Sequence, residues 1–565
     1  MSKFQNTPRK KAVKSAGSAA AAPKSGRNAK LKDSLASVPA NPLVVAANAI
    51  PKPNTVNISG KPSYKKEDFL QLLTMLNTLK LENQYYRSEN QTQRELKALV
   101  AKCAQIDPYF TAQCIVYSRC AGEGMRSINH LAAVAIAPFI SGQEFSKRFY
   151  SLWDKREKKG GTIFRADDIA EIVACYSNLN SKAITNAMKK GFKDALERMD
   201  TYTLLKYKPA LLDIINLVRP NPKMSKAVVP YNGKNVSVFE AIIKGYSVSA
   251  DTWEVANSEA GQEVAKAVKE GKISKADASK ILSEAKADNW EGLLNDGKLG
   301  ILAALRNIRN ILKDNPKSTT VDKLCDLLSN RNAIRNGKIM PYQIDMANEV
   351  VTGEFSSVDS RKVSQALLKG YEESLPNLAE ALPGRNLVVI DMSGSMNGAR
   401  IVDNNRKSKY SSTAAQKASL IAATIAKATN ADVIRFGTMA EYVKYNANND
   451  VFSMAKGMCN PNMGGTNLAY AFNLITQKDA VYDRIFILSD NECNMGNQVA
   501  SYKTYVSKVA NPYVYAVDLA AYGTDAIHGD KVRKYYGFGF AMFDDIATSE
   551  FNANTHFEKV KAIVI

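Results

Sequence analysis

Asp391, Ser393 and Ser395 form a DxSxS pattern at the end of a β-branched run, RNLVVIDMSGSM. Thr466 follows Gly464 and Gly465 in MGGTN, and Asp490 closes the apolar run IFILSD. Two carboxylates and three hydroxyls make an all-oxygen set. Hard cations prefer such oxygens and accept an octahedral shell completed by water, so the set predicts a site for Mg²⁺ or another divalent cation. So few carboxylates leave positive charge on the ion, and an acidic group from a partner can complete the shell. The glycines before Thr466 allow the backbone to come close. Alone, DxSxS also reads as a Ser-rich helix cap; Thr466 and Asp490 at the ends of further β/α units turn it into a metal pattern. Asn491 and Glu492 are expected behind the ligands or in a structural role. Cys493 is expected to be a packed thiol, because no His is near it in sequence.

The elements around these residues alternate. RNLVVID reads as a strand, 411–429 as a helix, 432–444 as a strand and 467–477 as a helix. DRIFILSD, 497–510 and YVYAVDLAAYG then give strand, helix and strand. Such alternation implies a mainly parallel sheet with helices on both faces, which binds ligands beyond the C-terminal ends of its strands. A long loop between Asn397 and Tyr410 carries Arg400, Arg406, Lys407 and Lys409 beside the predicted site.

From about 64 to 378 the pattern is helical. SYKKEDFLQLLTMLNTLKLENQ puts Phe69, Leu70, Leu73, Leu76 and Leu79 on one apolar face, and LAALRNIRNILKD and SRKVSQALLKGYEESL repeat the theme. Amphipathic helices joined by short turns without a strict period suggest an irregular, HEAT-like α-solenoid. On it, NAMKKGFKDALERM carries Lys189, Lys190 and Lys193, with Lys189 and Lys193 on one face. LLKYKP adds Lys206, Tyr207 and Lys208, and LVRPNPK adds Arg219 and Lys223. These cations suit phosphates; Tyr207 can stack on an unpaired base but is expected in the core.

The formal net charge is +21, of which residues 1–62 hold +10, from eleven Lys and Arg against Asp33. That leaves +11 on the remainder, so both parts attract a polyanion, and nucleic acid is the favoured partner. Residues 1–62, rich in Lys, Ala, Ser and Pro, read as a disordered basic arm. No apolar run reaches about 18 residues, which argues against a membrane span. Seven scattered cysteines without a CxxC fit reduced thiols in a cytoplasmic protein. Three histidines, no GxSxG and no Walker A loop leave catalysis poorly supplied, so a binding protein is expected and not an enzyme.

The ordered set of motifs resembles the Ro autoantigen family, whose helical part is the TROVE module. LENQYYRSENQTQRELKALV is similar to the family's early Tyr-Tyr segment, LAALRNIRNIL to its LLRNL helix, and KIMPYQIDMANEV to its RIHPFHILIALE-type segment without the two histidines. RNLVVIDMSGSM, MGGTN and ILSDNE follow in family order, and match the metal-ion-dependent adhesion site of von Willebrand factor A domains. The resemblance implies a bacterial or phage relative with three parts: the arm 1–62, a HEAT-like ring over 63–380, and a von Willebrand factor A-like domain over 381–565. It implies RNA partners, namely Y-like small RNA on the outer surface and single-stranded 3′ ends of misfolded RNA in the hole. An exoribonuclease partner in RNA quality control or degradation is implied too. The alternative is a scaffold that grips an acidic partner through Mg²⁺. One departure stands out: this chain runs from KYK directly into PALLDIINL, without the family's Trp-Ser-His-Lys insertion.

Overall fold

The computed structural model describes residues 41–565 except 154–156, 159–160, 163–164, 181–182, 249–252, 315–316, 399–411, 461–462 and 549–554. The basic stretch 1–40 and most of the loop after Asn397 thus lie outside the described residues. Thirteen short strands occur among those described: β1 Thr55–Val56, β2 Pro62–Lys65, β3 Glu157–Lys158, β4 Gly161–Thr162, β5 Val228–Tyr231, β6 Lys234–Ser237, β7 Asn386–Asp391, β8 Asp432–Phe436, β9 Ala440–Tyr442, β10 Arg484–Ser489, β11 Tyr513–Asp518, β12 Thr524–Asp525 and β13 Val532–Tyr536. Helices make up most of the rest.

Six strands form the main sheet in the order β13-β11-β10-β7-β8-β9, parallel except for β9. Every residue of β7 and β10 is buried. Alternate side chains serve opposite faces, as a pleated strand requires: Leu387 and Val389 pack in one apolar cluster, Val388 and Ile390 in the other. The helix Ala414–Thr429 covers one face; Leu468–Gln477 and Gln498–Lys508 cover the other. Ala414–Thr429 starts on a capping box between Thr413 and Gln416 and stops at Asn430 in the left-handed conformation (φ 53°). From β7 the chain goes to β8 on one side, then crosses to β10 on the other. The C-terminal ends of β7 and β10 therefore flank the point where the strand order reverses, the usual crevice for a ligand.

The first helices bury another cluster, from Leu70 to Ile242, which Met340 and the C-terminal residues Ala521, Tyr536 and Val560 also join. The helices after Trp290 share one apolar cluster with a face of the sheet, so that cluster runs without a break across residue 380. Among the described residues no helix is long and apolar enough to cross a membrane.

Three expectations need correction. The segment 432–444 is two antiparallel strands, β8 and β9, because Gly437 and Thr438 turn the chain between them. The helical span contains the hairpin β5–β6, whose Asn232-Gly233 pair adopts positive φ (48° and 74°), the backbone of a two-residue hairpin turn. The arm does not extend to residue 62: Pro42–Ala49 is a helix packed on Gln498–Lys508, and β1 pairs with β2, which in turn pairs with β12. Lys66 beyond them is 2% exposed in its side chain, 2.5 Å from Asp518 and 3.4 Å from Asp525. Burial works against its charge, but the two carboxylates outweigh it and hold the ammonium above its ordinary value. This anchoring overrides the polar composition of the segment.

The helical part thus begins and ends on the same lobe. Glu123 is buried against the start of the helix Phe540–Thr548, accepting the N–H groups of Gly539 and Met542, and burial pushes its carboxyl up to about 8. A Cβ at Gly539 would lie 1.7 Å from a Glu123 oxygen, so any side chain there would push the Glu123 carboxylate off this turn. On its other side the same turn receives Lys338, whose Nζ lies 3.5 Å from the Ala121 carbonyl.

Candidate cation site and basic helical surface

Asp391 ends β7 and Asp490 follows β10, on adjacent parallel strands whose register sets Leu488 beside Ile390. The Ser393 backbone N–H donates to Asp391 Oδ1 at 2.9 Å, folding the DxSxS turn over the strand end. The Ser393 and Ser395 hydroxyls lie 3.2 Å apart, and Ser395 also hydrogen-bonds Asp490. Thr466 arrives on a loop fixed to that turn by the backbone bonds Gly394 N–H to Gly464 O (2.9 Å) and Met463 N–H to Met392 O (3.3 Å). The structure thus brings all five predicted oxygen donors to one sheet edge, each at most 5% exposed.

The electrostatics suit a cation. Burial, then the Asp391 carboxylate, push the Asp490 carboxyl up to about 8. Burial raises Asp391 as well, against hydrogen bonds from Ser393 and Ser489. Two buried carboxylates that repel each other need a proton or a cation between them. Among the described residues no group of three or more His, Cys, Asp or Glu is arranged to hold a metal, so hydroxyls must supply the rest of any shell.

Neighbours of the ligands take structural roles. Glu492 accepts the Ile58 N–H (2.9 Å) and the Thr524 hydroxyl (3.1 Å), joining the N-terminal ribbon to the lobe. Asn491 takes a left-handed φ of 65°. Cys493 is buried, its thiol pushed well up by that burial. Sequence reasoning missed three residues. Ser489 donates to Asp391 Oδ2 at 2.6 Å, and Asn494 accepts the Thr466 N–H at 2.9 Å. Tyr86, from the helical part, hydrogen-bonds Ser395, and burial followed by the Asp490 carboxylate pushes its phenol upward. Nothing in the local sequence of Tyr86 signals a site more than 300 residues away.

The predicted phosphate-binding cations lie on one helical neighbourhood. Thr185 caps the helix Asn186–Glu197, which packs on Lys208–Val218. Lys190 is exposed, while Lys189 and Lys193 are half-buried. Lys206 is exposed, its ammonium 5.6 Å over the Tyr202 ring. Arg219, in the left-handed conformation that ends its helix, and Lys223 are exposed. Lys208 instead donates to the Tyr246 carbonyl at 3.1 Å. Tyr207 is half-buried against the helical core, with the Arg165 guanidinium 5.6 Å over its ring, in keeping with a packing role.

The family model of the TROVE domain matches residues 233–422, a stretch from the last helices through β7 and the DxSxS turn. That stretch, less than half of the chain, is similar to the TROVE domain. Its fold is similar to the crystal structure of the Deinococcus radiodurans Ro (RSR) protein. The similarity has a TM-score of 0.52 at 16% identity, over 86% of this chain and 100% of that one. At that identity the likeness shows the shared fold: many helices joined to a mostly parallel sheet.

Proposed function

We propose that this chain is a non-enzymatic RNA-binding protein of the Ro type. Its helical part, over about 63–380, closes into a ring on the α/β lobe of 381–565. The ring holds single-stranded 3′ ends of misfolded RNA, and its outer surface holds Y-like small RNA, in RNA quality control or degradation alongside an exoribonuclease. Two observations carry this reading: the TROVE match over 233–422, and the helical surface just before it that presents Lys190, Lys206, Arg219 and Lys223 to solvent. Closure is supported by the 119–124 turn, which touches both Lys338 and the lobe. Seven cysteines, none of them in a disulfide, fit a reducing, cytoplasmic setting. The test is binding of RNA with a single-stranded 3′ tail, expected at submicromolar affinity and weakening steeply with salt; no binding at low salt refutes it.

In the same reading Asp391, Ser393, Ser395, Thr466 and Asp490 hold Mg²⁺ or another divalent cation. The ion neutralises the paired carboxylates and offers a Lewis-acid position to a further oxygen. The oxygen set also favours a second reading, a scaffold that grips an acidic partner through the ion. Partner binding would then be lost on EDTA treatment and in Asp391→Ala while the fold persists; indifference to both removes it.

A further inference from the structure

Between the helices Asp68–Thr78 and Glu89–Ile106 the chain has no regular structure, yet it is firmly anchored. Arg87, 4% exposed, donates to the carbonyls of Ala520 (3.2 Å) and Ala521 (3.3 Å) just beyond β11. Its guanidinium lies 5.2 Å over the Tyr522 ring, and Glu95 balances its charge at 2.8 Å. Gln84 accepts two further bonds from Arg87, so the segment is braced from within. Tyr86, edge-on to Tyr522 at 5.5 Å, is thereby delivered to the Ser395 hydroxyl. What remains between this strap and the site is a cavity of about 30 Å³, lined by Ser395, Asp490, Lys80, Glu82 and Tyr522 among others. That is room for a water or two.

We propose that the cation site has two parts: the α/β lobe supplies the five oxygens, and the chain's own strap, through Tyr86, covers the face where a partner's ligand would sit. The inference rests on reading the five oxygens as a cation site. An ion that engages Asp490 releases the Ser395 proton from that carboxylate. A hydroxyl polarised by a cation is a stronger donor, and Tyr86 is the neighbouring acceptor. Ion binding therefore tightens the strap and ties the first helices to the lobe. By linkage, the strap strengthens ion binding by the same factor.

The test measures Mg²⁺ binding to the full chain by titration calorimetry, and hydrogen exchange of the 79–88 peptide in Mg²⁺ and in EDTA. Mg²⁺ is expected to slow exchange of that peptide several-fold in the wild type and not in Asp490→Asn. Tyr86→Phe keeps the ring against Tyr522 and should weaken Mg²⁺ about five-fold, the worth of one hydrogen bond, at an unchanged unfolding midpoint. If Mg²⁺ binds while exchange at 79–88 and the affinity of Tyr86→Phe stay as in the wild type, the strap is overturned and the cation site stands. If Mg²⁺ does not bind at all, the cation site fails and the strap with it.

Discussion

Replacing Lys189, Lys190 and Lys193 together by Ala should change how RNA binding responds to salt. Each phosphate contact on a single strand contributes about 0.7 to the slope of log affinity against log salt. If all three ammonium groups touch phosphate, the slope falls by about 2, and affinity at 0.1 M salt drops roughly 100-fold relative to the loss at 1 M. If the two half-buried lysines make no contact and only exposed Lys190 does, the drop is about five-fold. Fluorescence anisotropy of a labelled RNA with a single-stranded 3′ tail, at four or more salt concentrations, separates these cases. Lys208→Ala is the control, because its ammonium is engaged by the Tyr246 carbonyl and should leave the slope nearly unchanged. A triple variant with wild-type slope and affinity would remove this helix from the RNA surface.

Other outcomes follow from the same structure. Lys66→Met takes the cation from buried Asp518, while Asp525 keeps Lys534 at 2.6 Å, and should destabilise the protein by about 3 kcal/mol, read as a lower urea midpoint. In EDTA the Asp490 carboxyl, raised to about 8 against an ordinary value near 3.9, should cost stability progressively as pH rises between those values; a melting temperature that falls across that window in the wild type and less in Asp490→Asn checks this. With Mg²⁺ or Mn²⁺ added, the purified chain should not cleave RNA; robust cleavage abolished by Asp391→Ala would overturn the binding-only reading.

The α/β lobe was legible because its strands are continuous apolar runs, RNLVVID and DRIFILSD, separated by helical periodicity. The cation pattern was legible because the fold brings strand ends together, so residues placed at strand ends by sequence meet in space. What escaped depends on distant partners or on overlooked turns. Lys66 sits in the polar run SYKKED and looks solvated, yet its two carboxylates lie more than 450 residues away in the chain. The segment 41–65 does carry a local helix start, with Asn41 capping Leu43 and Pro42 in the first turn, but its ribbon is fixed by pairing with β12 far along the chain. Asn232-Gly233 was a readable hairpin signal inside a span otherwise dominated by helical pattern.

The central claim is that a basic helical ring accepts single-stranded RNA ends. The most direct measurement compares the affinity of the full chain for one RNA stem with and without a single-stranded 3′ extension, at low and moderate salt. The tailed RNA should bind at least ten-fold more tightly, with a clearly negative salt slope. Equal affinity for both, or no binding to either, would contradict it.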